Sequence, residues 1–174
     1  MVHDDQLDFE QLVDEHQAMV YSLALRMTGD HGLAEEIAQD VFLELDRNLS
    51  KIESADHACS WLRRVAMSRS TDALRRRQAR RMEQWVEIEE GHGAKAESSS
   101  SPLASGLSSR LEQLLATLPE AQRAALLLRY QEDLTPEEIA AALGAPLATV
   151  KSHLQRGLKL LRAKAATHLH EYIR

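Results

Sequence analysis

Between Leu134 and Lys164 the chain reads LTPEEIAAALGAPLATVKSHLQRGLKLLRAK, and no other stretch restricts the fold as much. Thr135 is a good N-cap, Pro136 suits the first helical position, and Glu138, three residues after the cap, completes a capping box. A helix therefore starts at Pro136. Ile139, Ala140 and Leu143 give it one apolar stripe. Gly144 accepts the left-handed conformation that closes a helix, and Pro146 cannot extend it. From Leu147 a second periodicity begins, with Leu147, Val150, Leu154, Leu158 and Leu161 on one side and Ala148, Ser152, Gln155, Arg156 and Lys159 on the other. Two helices joined through a short Gly-containing corner form the helix-turn-helix pattern, whose second helix enters the major groove of DNA. An ordinary helical hairpin with a solvated basic face has the same spacing. The exposed face here mixes Lys and Arg with Ser, Thr and Gln, which reach both phosphates and base edges, and that favours DNA reading.

The rest of the chain is also expected to be helical. Only 4% of its residues are aromatic, and it has 7 Gly and 4 Pro in 174 residues, a composition that favours an all-α fold of one or two small domains. No stretch approaches the roughly 20 apolar residues of a membrane span, and the acidic start MVHDDQ does not read as a signal peptide, so a cytoplasmic protein is expected. The single cysteine, Cys59, excludes an internal disulfide framework and a Cys-rich zinc site, and is expected to pack as a small apolar residue.

A net charge of −6 looks wrong for a nucleic-acid binder until it is divided along the chain. Residues 1–60 hold 3 Lys+Arg against 14 Asp+Glu, and residues 61–82 hold 8 against 1. Residues 83–146 hold 4 against 11, and residues 147–174 hold 6 against 1. A footprint for DNA is judged by such local clusters, not by the sum. There are two basic blocks, each preceded by an acidic one.

In chain order, Phe9, Leu12, Val13, His16, Val20, Leu23, Ala24 and Met27 repeat at helical spacing and predict a first helix over Leu7 to Met27. Thr28-Gly29-Asp30 ends it. A second helix, Gly32 to Asn48, turns Ala34, Ile37, Ala38, Val41 and Leu45 inward and Glu36, Gln39, Asp40 and Glu44 outward. This acidic face is either solvated or a docking surface for a basic partner. Asp56 is expected to cap a third helix, with Trp61, Leu62, Val65 and Ala66 on its apolar side. Beyond Ser68 that helix carries Arg69, Arg75, Arg76, Arg77, Arg80 and Arg81, more cation than solubility requires and well matched to phosphate. From residue 83 to 106 the periodicity stops, and acidic residues, four consecutive serines, Pro and Gly read as a disordered linker, although Trp85 could instead extend the third helix. Ser109 and Glu112 resemble a second capping box before Leu111, Leu114, Leu115 and Leu118. Thr117 and Pro119 then lead into a helix with Ala121, Ala125, Leu127 and Leu128 inward. The chain thus divides into residues 7–82, a linker 83–106, and residues 107–174. His168 and His170 are too sparse for a metal site. With no nucleophile–base set and no phosphate-binding Gly loop, neither catalysis nor a cofactor is expected.

The order of these parts resembles the extracytoplasmic-function sigma factors of bacterial RNA polymerase, the minimal two-domain form of the major sigma family. AEEIAQDVFLEL at Ala34–Leu45 is similar to the segment that docks on the clamp of the polymerase β′ subunit. WLRRVAMSRSTDALRRR at Trp61–Arg77 is similar to the helix that opens and holds the promoter minus-ten element. LPEAQRAALLLRYQED and the helix-turn-helix after it resemble the domain that reads the minus-thirty-five element.

The resemblance implies roles. Glu36, Gln39, Asp40 and Glu44 would contact the polymerase. Trp61, Arg64, Ser68, Asp72, Arg75 and Arg76 would line the melted strand and upstream duplex, with the loop Ile52–His57 beside Ser68 receiving a base flipped from the stack. Thr149, Lys151, Ser152, His153, Gln155 and Arg156 would meet the upstream element. The implied partners are core polymerase through its β′ clamp and β flap, promoter DNA, and an anti-sigma factor. The chain departs from the family pattern at Asp46, at Ser68, at His153 and in the loop IESADH, which leaves promoter preference open. The alternative function is a helix-turn-helix regulator that never docks on polymerase.

Overall fold

The computed structural model describes residues 7–88 and 107–170. The first helix, α1, spans Phe9–Thr28, with Asp8 accepting a hydrogen bond from the Glu10 amide at its start and Gly29 closing it in the left-handed conformation (φ 68°). α2 spans His31–Asn48 behind an N-cap supplied by Asp30, whose side chain accepts from the Leu33 amide. A single 3-10 turn, Leu49–Lys51, leads to α3, which runs without interruption over Ala55–Ile88. Its cap differs from the expected one. Ser54, not Asp56, sits at the N-terminus, with its Oγ accepting from the His57 amide and its carbonyl from Ala58, while Asp56 lies in the first turn. The helix also continues past Met82, as the alternative reading of Trp85 allowed. The rest of the expected linker, residues 89–106, lies outside the described residues.

α1, α2 and α3 bury one side each against one another. Leu12, Val20, Ala24, Ile37, Val41, Leu45, Ala58, Leu62 and Ala66 form the centre of this core. Each large aliphatic side chain removed from water there stabilises the fold by about 1.5–3 kcal/mol.

The remaining helices are α4, Leu107–Ala116, α5, Glu120–Tyr130, α6, Pro136–Leu143, and α7, Leu147–His170. α4 begins before Ser109, so that residue stands in the first turn and is not its cap. Thr117 closes this helix by donating its hydroxyl to the Leu114 carbonyl at 2.6 Å. On α5, Ala125, Leu127 and Leu128 are buried as expected, but Ala121 is exposed and Ala124 and Leu126 are buried in its place. A helix with buried residues at six consecutive positions, Arg123 to Leu128, is covered on several sides, so a one-face pattern could not describe it. Gly157 lets α7 lie close to α5. A Cβ there would sit 3.0 Å from Leu126 Cδ1 and 3.2 Å from Gln122 Cβ.

The two halves share a core. Leu23 and Met27 of α1 and Met67 of α3 are buried in one cluster with Leu115, Leu118, Leu128, Ile139 and Val150. α1 therefore packs on α4 and α5, and α3 packs on α6. Among the described residues all regular structure is helical, and no helix there is long and apolar enough to cross a membrane.

Candidate nucleic-acid interface

The corner between α6 and α7 is built as the sequence predicts. The Thr135 side chain accepts from the Glu138 amide, and the Glu138 carboxylate accepts from the Thr135 amide at 2.7 Å and from its hydroxyl at 2.9 Å. These bonds hold the Glu138 carboxyl below its ordinary range, since the charged form is the better acceptor. Gly144 adopts φ 59°, and the Ala145 amide returns to the Ala140 carbonyl. Ile139 and Val150 are fully buried on the inner side of the two helices and fix their angle.

That packing decides what α7 shows to solvent. Thr149, Lys151, Gln155 and Arg156 are exposed and Ser152 is half-buried. Thr149, Ser152 and Arg156 share one side at helical spacing, with Lys159 a turn further on. His153 behaves differently. It is half-buried, its Nδ1 is fully covered without a hydrogen-bond partner, and it stands one turn before Gly157, at the edge of the side that meets α5. Five of the six expected upstream contacts therefore lie on or beside the outward side, and His153 stands on its margin.

Along α3, Arg64, Ser68, Asp72, Arg75 and Arg76 are exposed and Trp61 is half-buried. The spacing of Trp61, Arg64, Ser68, Asp72 and Arg75 is three or four residues, which places them in one row along the helix. Four arginines of this helix already hold carboxylates. Arg63 pairs with Glu132 at 2.9 Å, Arg69 with Glu44 at 2.5 Å, Arg75 with Glu120 at 3.3 Å and Arg77 with Asp30 at 3.5 Å. The Glu44 hydrogen bond raises the affinity of the Arg69 guanidinium for its proton.

On α2, Glu36, Gln39 and Asp40 are exposed. Glu44, the fourth expected docking residue, is half-buried and held by Arg69. Among them stands Leu43, 55% exposed. A leucine outside the apolar stripe of its own helix is a signal the sequence carried and that patterning by charge alone passes over. A second apolar feature is a groove of about 430 Å³ between α4, α5 and α7, lined by Leu111, Leu115, Leu126, Tyr130, Leu158 and Leu161, with Arg26 of α1 and Arg162 also on its walls. The described residues contain no cluster of metal-ligating side chains.

A three-helix unit with an acidic second helix and an arginine-rich third, followed by a helical unit ending in a helix-turn-helix, defines a promoter-recognition subunit of the sigma type. Residues 12–80 match Sigma-70 region 2, and residues 108–161 match Sigma-70, region 4. The chain is 32% identical over 165 residues to the ECF RNA polymerase sigma factor SigK of Mycobacterium tuberculosis, covering 91% of this chain and 86% of that one. It is 28% identical to SigW of Bacillus subtilis, covering 91% and 89%. The chain belongs to the ECF RNA polymerase sigma factors. Among solved structures its fold is similar to the sigma factor RpoE in complex with the anti-sigma factor NepR from Bartonella quintana, with a TM-score of 0.67 at 18% identity, covering 90% of this chain and 95% of that one. It is also similar to CnrH in complex with the cytosolic domain of CnrY, with a TM-score of 0.65 at 21% identity, covering 91% and 88%. Members of this family are transcription initiation factors rather than enzymes.

Proposed function

We propose that this sigma factor grips its promoter at two points while a third surface holds the polymerase, and that the division of labour follows the helices. Thr149, Lys151, Ser152, Gln155 and Arg156 on α7 meet the upstream element. Trp61, Arg64, Ser68, Asp72, Arg75 and Arg76 on α3 line the melted strand and adjoining duplex. Glu36, Gln39 and Asp40 on α2 dock on the β′ clamp, with Leu43 as the apolar contact at their centre. Apolar anchors ringed by charge carry most of the energy of such interfaces, while the charges set encounter rate and register. The groove between α4, α5 and α7 suits an apolar segment of the β flap. The chain has no catalytic role of its own and works in the cytoplasm, where an anti-sigma factor of the kind seen with its structural neighbours restrains it.

The observation that carries this reading is the exposed acidic row of α2, which a plain helix-turn-helix regulator does not need. Pull-down of core polymerase tests it. Native protein is expected to capture core, and Glu36→Lys with Asp40→Lys to lose it, with Leu43→Asp weakening capture as well. If the native chain fails to bind core, the regulator reading takes over.

A further inference from the structure

His153 stands between the two sides of α7. Val150, Leu154 and Gly157 pack inward beside it, and Thr149, Ser152 and Arg156 form the outward row. Its two ring nitrogens differ accordingly. Nδ1 is closed off from solvent and has no hydrogen-bond partner, whereas Nε2 remains open. On the facing helix α5, Gln122 is in the same condition, with its Oε1 closed off and unpartnered. Both side chains belong to one place. A Cβ added at Gly157 would lie 3.2 Å from Gln122 Cβ, and His153 is one helical turn before Gly157, where Cβ atoms are about 5–6 Å apart. That gap is within the joint reach of a glutamine and an imidazole.

We infer that Gln122 fixes the tautomer of His153, and that His153 thereby reads an exocyclic amino group in the major groove of the upstream element. This rests on the assignment of α7 to that element. Gln122 Oε1 only accepts, so a proton on Nδ1 satisfies both covered atoms at once. A proton on Nε2 would leave two buried acceptors facing each other with neither bonded. The neutral imidazole carries a single ring proton. With that proton turned inward, Nε2 presents a bare lone pair to the DNA. Phosphate oxygens, guanine O6 and N7 and thymine O4 only accept, and none of them can bond it. The donors in the groove are the amino groups of adenine N6 and cytosine N4, one in each base pair, so the ring selects the strand that carries the amino group. Its charged neighbours Lys151 and Arg156 only donate and cannot read that group. His153 is then a specificity-determining residue, and Gln122, which stays behind it on α5, a positioning residue.

Two measurements test this. The first needs no DNA. Nitrogen–proton NMR correlations of the histidine rings in the full chain are expected to place the His153 proton on Nδ1 in native protein. In Gln122→Met, which keeps the length of the side chain and removes the acceptor, the proton is expected on Nε2. A native ring protonated at Nε2 overturns the inference without reference to any variant, and so does a folded Gln122→Met whose ring is unchanged. The second measurement uses polymerase holoenzyme and a promoter duplex that it selects from a library. Cytosine and adenine of the upstream element are replaced, one position at a time, by analogues lacking the exocyclic amino group. At one position the native factor is expected to lose about tenfold in binding, a size typical of base-edge discrimination. His153→Leu and Gln122→Met are expected not to respond to that replacement. A native factor indifferent at every position, or a His153→Leu factor that keeps the tenfold response, overturns the inference. The α7 assignment is checked apart with Lys151→Ala and Arg156→Ala. If both bind the upstream element as well as native, that assignment fails, whatever the ring proton shows.

Discussion

Arg123 carries more of this fold than its place on an amphipathic helix suggests. It is 7% exposed, and among the described residues its guanidinium forms no ion pair, although the Glu120 charge lies near. It donates instead to the Met27, Ala116 and Leu118 carbonyls, the last two at 2.7 and 2.9 Å. Met27 and Ala116 lie in the last turns of α1 and α4, where carbonyls lack helical partners and the dipole is negative, so a single cation satisfies two helix ends. Burial pushes its proton affinity down, but the fork keeps its charge. Arg123→Lys is expected to lower stability by about 2–3 kcal/mol, since a point charge cannot serve three carbonyls in a plane. Chemical denaturation followed by circular dichroism would read the loss. Arg156 is the contrasting case, exposed and replaceable in the fold. Arg156→Ala is expected to cost about 1–3 kcal/mol of promoter affinity at one base-pair position if it reads a base edge. Affinity measured over a promoter library separates this from a uniform loss, which would mean a phosphate contact. The outward position of Arg156 was legible in helical phase. The role of Arg123 was not, because periodicity says which side a residue occupies and not which distant carbonyls end there.

The elements with strong local punctuation were read nearly to the residue. α6 has a complete cap, a Pro at its start and a Gly at its end, all interactions within four residues, so no tertiary contact was needed to find it. The starts of α3 and α4 were misread because Asp56 and Ser109 are acceptable caps by type, yet both stand inside the first turn of their helices. Local chemistry permits several caps, and packing chooses among them. The same cap gives α6 a dependence on acidity. The Glu138 carboxyl titrates lower in the folded protein than in the unfolded chain, so its contribution is complete above its ordinary value of 4.5 and fades as pH falls through the depressed folded value. The protection of α6 amides against hydrogen exchange, taken relative to the intrinsic exchange rate at each pH, is expected to fall on acidification below about pH 4.5 in native protein, and Glu138→Gln to flatten that response. An equal response in both would show that the box does not govern the helix end. On α2 the acidic row was visible in the sequence, while the capture of Glu44 by Arg69 was not, since it joins residues 25 apart on different helices.

At the scale of the whole molecule, the charge blocks were legible as arithmetic and their pairing was not. Nothing in the spacing of Glu120 and Glu132 names Arg75 and Arg63, and the burial of Leu23, Met27 and Met67 against the second unit looks, in sequence, like ordinary core of the first. Cys59 reports on this junction. It is half-buried, and burial pushes its thiol up, with Arg63 opposing and Glu132 reinforcing the rise. Only the thiolate reacts with an alkylating reagent, so native Cys59 is expected to react more slowly than an unburied thiol at neutral pH. Glu120→Gln with Glu132→Gln is expected to speed it, as followed by mass spectrometry with iodoacetamide. The same rate in both proteins would mean that the junction had not loosened. The shared core also sets what parting the two units would cost. Leu23, Met27 and Met67 would meet water together with Leu115, Leu118 and Leu128, so the junction is held by apolar burial, a force that weakens on cooling.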